Sequence, residues 1–161
     1  MFDNLVKCLT DLGEEIKELY KQQLVTDGIN ASGKLSNSVK SLVKVNENVY
    51  EIDLQLEDYF RYIEDGRKRT ENGGNGELRR NILEWIKVKP ILPTPFNGKL
   101  PTESQLAYLI SRKIHTLGYE GKRPLHKTLE TTKGKIYSEI ESALAKDLSA
   151  DILNVLRTIT E

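Results

Sequence analysis

One stretch breaks the rhythm of an otherwise helical sequence. Residues 42–56, "LVKVNENVYEIDLQL", alternate side-chain character with a period of two, while the segments on either side repeat every three to four residues. Asn46-Glu47-Asn48 interrupts the alternation at its centre, so the stretch predicts two β-strands joined by a tight turn. A lone hairpin is not stable in water, so it must lie against helices. This single constraint selects the fold class: α+β, with a small antiparallel sheet within residues 41–56 packed against a long N-terminal helix and several further helices.

The helices follow from the 3.6-residue period. Phe2, Leu5, Val6, Leu9, Leu12, Ile16, Leu19, Tyr20 and Leu24 share one face of a first long helix that Asp27-Gly28 closes. Residues 29–41 read as a polar loop with one helical turn near Leu35 and Val39. Leu56, Tyr59, Tyr62 and Ile63 fall on one helical face before Gly66. Leu78, Ile82, Trp85 and Ile86 mark a helix stopped by Pro90, and the stripe makes Trp85 a core anchor. Thr102 and Gln105 form a capping-box pattern ahead of Leu106, Leu109, Ile110, Ile114 and Leu117, and Gly118 is the natural stop. Ile136, Ile140, Leu144, Leu148, Ile152, Val155, Leu156 and Ile159 trace a last long amphipathic helix. A length of 161 residues fits one domain. Residues 1–127 are expected to form it, with 128–161 as a C-terminal helix packed on the same core.

Charge excludes a strong whole-molecule field toward nucleic acid or membrane, because Lys+Arg and Asp+Glu both number 24. The distribution is uneven: residues 1–30 are acidic and residues 112–127 basic, which suits contact with further copies or a partner. Cys8 is the only cysteine, so no intramolecular disulfide or thiolate metal cluster can form, as fits a reducing cytoplasm. No run approaches the ~18 apolar residues of a membrane span. The N-terminus lacks the basic start and apolar middle of a signal peptide.

No catalytic, cofactor or metal constellation emerges. His115 and His126 are eleven apart without neighbouring cysteine, which is poor metal spacing. Glu57/Asp58 and Glu64/Asp65 invite a nuclease reading, but adjacent acids on a helix point apart, and Glu84 and Lys87 lack the spacing of the common nuclease strand motif. Residues 72–76, "NGGNG", lack the GK[ST] ending of a phosphate loop, and Gly33-Lys34 is followed by Leu35 instead of Ser or Thr. The best binding candidates are the bases Arg67, Lys68, Arg69, Arg79 and Arg80, although residues 57–80 hold six acids beside six bases. Gly66–Gly76 carries no hydrophobic side chain, so the expectation is a loop that orders only at an interface.

The order of motifs resembles a known family. A leading helix, Ser32-Gly33-Lys34-Leu35-Ser36-Asn37-Ser38, a hairpin and Tyr59-Phe60-Arg61-Tyr62-Ile63-Glu64-Asp65-Gly66 are similar to the tail-completion and head–tail joining (neck) proteins of tailed bacteriophages. Residues 82–89 and 106–125 look like the second half of one branch of them. The resemblance covers about residues 2–127, and the helix after Gly134 is longer than the family pattern. It implies a non-catalytic virion protein without cofactors, assembled in the bacterial cytoplasm into a homo-oligomeric ring. Its neighbours would be portal, adaptor or tail proteins, with room for non-specific contact with packaged DNA and none for a membrane. Arg67, Lys68, Arg69, Arg79 and Arg80 are then the expected assembly interface. The alternative is a DNA-binding accessory module using loops 66–80 and 112–127.

Overall fold

The computed structural model describes residues 2–47, 49–70, 76–89, 91, 93–95 and 98–160. Among these the elements are α1 (Asp3–Thr26), α2 (Lys34–Ser38), β1 (Lys40–Asn46), β2 (Val49–Gln55), α3 (Phe60–Glu64), β3 (Gly66–Arg67), α4 (Glu77–Val88), α5 (Glu103–Leu117), β4 (Tyr119–Glu120) and α6 (Pro124–Thr160). The fold is α+β, as the period switch requires.

Two helices make the frame. Leu5, Leu9, Leu12, Ile16, Tyr20 and Leu24 recur every three or four residues and are buried along one side of α1. α6 lies antiparallel beside it: Asn4 meets Asp147, Glu15 meets Lys135 and Asp27 meets Lys127. Because α6 runs unbroken from Pro124, the 127/128 break falls inside a helix, and residues 128–147 of that helix pack along α1. Proline suits that first position, where its missing N–H costs nothing.

The hairpin packs across α1. β1 and β2 pair antiparallel from Lys40↔Gln55 to Asn46↔Val49. Glu47 takes a φ of 49°, and Asn48 lies outside the described residues. Ser41, Val43, Ile52 and Leu54 are half-buried on the inner face. A Cβ on Gly13 would run into Ser41 and Ile52, so glycine there is what lets the hairpin cross α1 closely. At the hairpin's base, Tyr20, Leu24, Leu35 and Val39 form a buried cluster joined by Leu56, Tyr59, Phe60, Ile63 and Leu125.

A second, smaller core lies between α4 and α5: Ile82, Ile86 and Ala107, flanked by Leu78, Leu83, Leu106, Ile110 and Ile114. The capping box is present, with the Gln105 amide donating to Thr102 Oγ1 and the Thr102 amide donating to Gln105 Oε1. Trp85 departs from the sequence expectation, since it is 39% exposed and no core anchor. Counted from Leu78 at roughly 100° per residue, Ile82 and Ile86 lie at about 40° and 80° and Trp85 at about −20°, so Trp85 sits on the rim of the buried face, roughly 60° from its centre.

Candidate functional site

The α4–α5 pair leaves and rejoins the frame through one narrow neck. β3 and β4 pair antiparallel, Gly66 opposite Glu120 and Arg67 opposite Tyr119. On one side of this ladder the Lys122 amide donates to the Ile63 carbonyl at 2.9 Å. On the other, the Thr70 amide donates to the His115 carbonyl at 2.8 Å, and Thr70 Oγ1 sits 2.5 Å from His115 Nδ1. Glycines make the approach feasible: a Cβ on Gly66, Gly118 or Gly121 would overlap the backbone carbonyl of Tyr119, Arg67 or Glu64 respectively. Gly66 also takes a φ of 80°. The expected free loop is therefore tied down at its start, from Gly66 to Thr70. Residues 71–75, the glycine-rich part, lie outside the described residues.

The five candidate bases divide. The Arg67 guanidinium stacks over the Tyr62 ring, 5.5 Å from its centre, and is half-buried. Arg79 stacks over Tyr108 at 5.6 Å and donates to Ser104 Oγ at 2.9 Å. Both spend their cation on holding neighbouring elements together. Lys68, Arg69 and Arg80 are exposed. Beside Arg67 lies an open cleft of about 210 Å³ bordered by Tyr59, Tyr62, His115 and Tyr119. Ligand pockets usually span ~300–1,000 Å³, so this cleft suits one inserted side chain better than a cofactor. Burial pushes the Tyr119 phenol up, while the Arg67 charge pulls against it, so the ring presents a neutral hydroxyl at the cleft wall.

The carboxylates flagged as nuclease candidates have structural partners. Both oxygens of Glu64 accept backbone amides at the start of α6, from Leu125 at 3.0 Å and His126 at 2.9 Å. Glu64 is thus a cap supplied from α3 to the N-terminus of α6. Asp147 performs the reciprocal service for α1, accepting from the amides of Asn4 and Leu5 and from the Asn4 side chain. Burial works against its charge, but these hydrogen bonds and the nearby N-terminus hold its carboxyl below the usual range. Sequence reasoning missed both caps because donor and acceptor are 61 and 143 positions apart. The one available hint was that neither helix has a capping side chain of its own at its start.

The regional charge imbalance is partly consumed within the chain. Lys127 Nζ donates to both oxygens of Asp27 at 3.0 Å, and Lys122 Nζ donates to the Asp27 carbonyl at 2.6 Å. Burial again opposes the Asp27 charge, and Lys127, Gln23 and Lys122 together hold its carboxyl low. Glu15 is taken by Lys135 and Glu14 by Lys17, so the acidic surface of α1 is less available to a neighbour than its sequence suggests. Among the described residues no three His, Cys, Asp or Glu side chains gather as metal ligands. No described helix is long and apolar enough to cross a membrane. No protein-family model, curated protein or solved structure matches the chain.

Proposed function

We propose that the chain is a structural virion protein of a tailed bacteriophage, a ring-forming component of the head–tail junction that acts without catalysis. The observation that carries this reading is where the two motifs of the resemblance meet. Gly33 adopts a φ of 72° to start α2, Leu35 enters the main cluster, and Ser38 Oγ accepts the Glu57 amide at the end of the hairpin. Tyr59, Phe60 and Ile63 pack on that same cluster, Glu64 caps α6 and Gly66 opens the neck. Both motifs thus serve one corner, which joins hairpin, α1 and α6 into a rigid body. Such a body, with exposed bases and an α4–α5 arm, suits repeated placement around an axis beside portal, adaptor or tail proteins. The virion is its proposed location, after assembly in the bacterial cytoplasm.

Purified virions test the proposal. Quantitative mass spectrometry should find this chain at a fixed ratio to the portal protein, corresponding to one ring per particle. Its absence from virions, with abundance only in the host lysate, would remove the proposal. One observation favours the alternative of a DNA-binding accessory module using loops 66–80 and 112–127: the β3–β4 ladder and the Thr70–His115 bond bring the backbone of residues 66–70 beside that of residues 115–120. That reading expects duplex DNA affinity that falls steeply with salt.

A further inference from the structure

The end of α6 is built differently from the rest of the helix. α1 and α6 separate at the Asn4–Asp147 contact, and every residue from Leu148 to Ile159 is exposed. Roughly three and a half turns, ~20 Å of helix, therefore run on past the frame. Polar tails of this kind are ordinary, but this one carries Leu148, Ile152, Leu153, Val155, Leu156 and Ile159, between 51% and 74% exposed. Leu148, Ile152, Val155, Leu156 and Ile159 lie within roughly 100° of one another round the helix, an exposed apolar face of the kind that marks an interaction site.

Position around the helix says what this face is for. The residues of α6 that face α1 include Thr128, Thr132, Ala143 and Asp147. Continued onward, that line meets Ala150 and Asn154, which are small or polar. The apolar line lies roughly 150° round from it, so it does not extend the α1 seam. Leu148, Ile152, Val155 and Ile159 are spaced four, three and four, the a/d pattern of a two-stranded seam. The isoleucines occupy the a positions and Leu148 and Val155 the d positions; isoleucine at a with leucine at d favours a two-stranded seam, and Val155 is the one departure from that pattern. Two heptads are short for an isolated coiled coil. Here the helix is already nucleated by its packing on α1, so pairing need not meet that cost.

We propose that residues 148–159 of α6 are a self-association arm whose partner is the same segment of a second copy of this chain. The four seam side chains of two copies bring together on the order of 800 Å², the size of a weak, reversible interface and not of an obligate one. The inference does not depend on location in a virion, because it concerns the purified chain in solution.

Sedimentation equilibrium of the full chain, from low to high micromolar concentration, reads the result. The parent should pass from monomer to dimer or higher oligomer across that range. Ile152→Glu and Val155→Glu, each placing a charge in the seam, should weaken association by at least 100-fold. Leu153→Glu, equally exposed but outside the seam, should leave it within a few-fold of the parent. Far-UV circular dichroism on the same samples should show the α1/α6 body folded in all three. A parent that stays monomeric throughout would overturn the proposal in favour of a helix from a different protein. Equal loss of association in Leu153→Glu would overturn it too, as plain surface stickiness.

Discussion

Replacing Glu64 with alanine separates a structural carboxylate from a catalytic one. The Glu64 side chain accepts two consecutive backbone amides of α6 at 3.0 and 2.9 Å, and both donors belong to the four that a helix N-terminus leaves unpaired. A single capping bond is worth about 1 kcal/mol, and a negative charge at the positive end of the helix dipole adds about 0.3–1 kcal/mol. Because α3 supplies the cap, its loss also loosens the corner where Tyr59, Phe60 and Ile63 pack. The expected cost is about 2 kcal/mol, which for a domain near this length lowers Tm by about 4–8 °C. Glu64→Gln keeps one acceptor oxygen and should lose about half as much. The exposed neighbour, Asp65→Ala, should stay within about 0.5 kcal/mol of the parent. Thermal unfolding followed by circular dichroism at the helix band measures all three. A Glu64→Ala variant that melts within a degree of the parent would refute the capping role. Loss of a metal-dependent DNA cleavage at unchanged Tm would revive the nuclease reading.

Three further outcomes follow from the packing. In α4, Ile86→Ala should cost about 2–5 kcal/mol, whereas Trp85→Ala, at a site 39% exposed, should cost under about 1 kcal/mol, and paired chemical denaturation curves give the order directly. Gly121→Ala places a methyl group against the Glu64 carbonyl and should destabilise by about 1–3 kcal/mol, with hydrogen exchange accelerating first at Gly66, Arg67 and Tyr119; unchanged exchange there would mean the neck carries no strain. Asp147 has a folded-state carboxyl held below its unfolded value, so its contribution is full above the ordinary aspartate pKa of about 3.9 and is lost as pH falls through the lower folded value. Asp147→Asn should therefore flatten the acid limb of the stability–pH curve and leave its alkaline limb unchanged in shape.

How much of this the sequence announces depends on whether the signal is local. α1, the hairpin and the Thr102 capping box were legible because their information lies within a few residues: a four-residue stripe, a period of two, an N-cap with its N3 partner. The β3–β4 ladder was not, since two-residue strands have no period to detect, and only the glycines at 66, 118 and 121 hinted at close backbones. The apolar stripe from Ile136 points to a later start of α6 than the observed one, although Pro124 is itself an N-terminal helix signal. Trp85 keeps the spacing of the stripe yet stands at its rim, and spacing does not tell rim from centre. Arg67 and Arg79 were legible as cations, but their stacking on Tyr62 and Tyr108 depends on tertiary placement that no spacing reveals.

The most direct test of the central proposal is a cryo-electron microscopy reconstruction of the phage neck, carried to a resolution at which helices separate. The account predicts a closed ring between portal and tail in which each subunit shows one helix of 37 residues lying antiparallel to one of 24, with the short hairpin crossing the latter. A neck fully accounted for by other chains, with no ring of that helix pair, would contradict it.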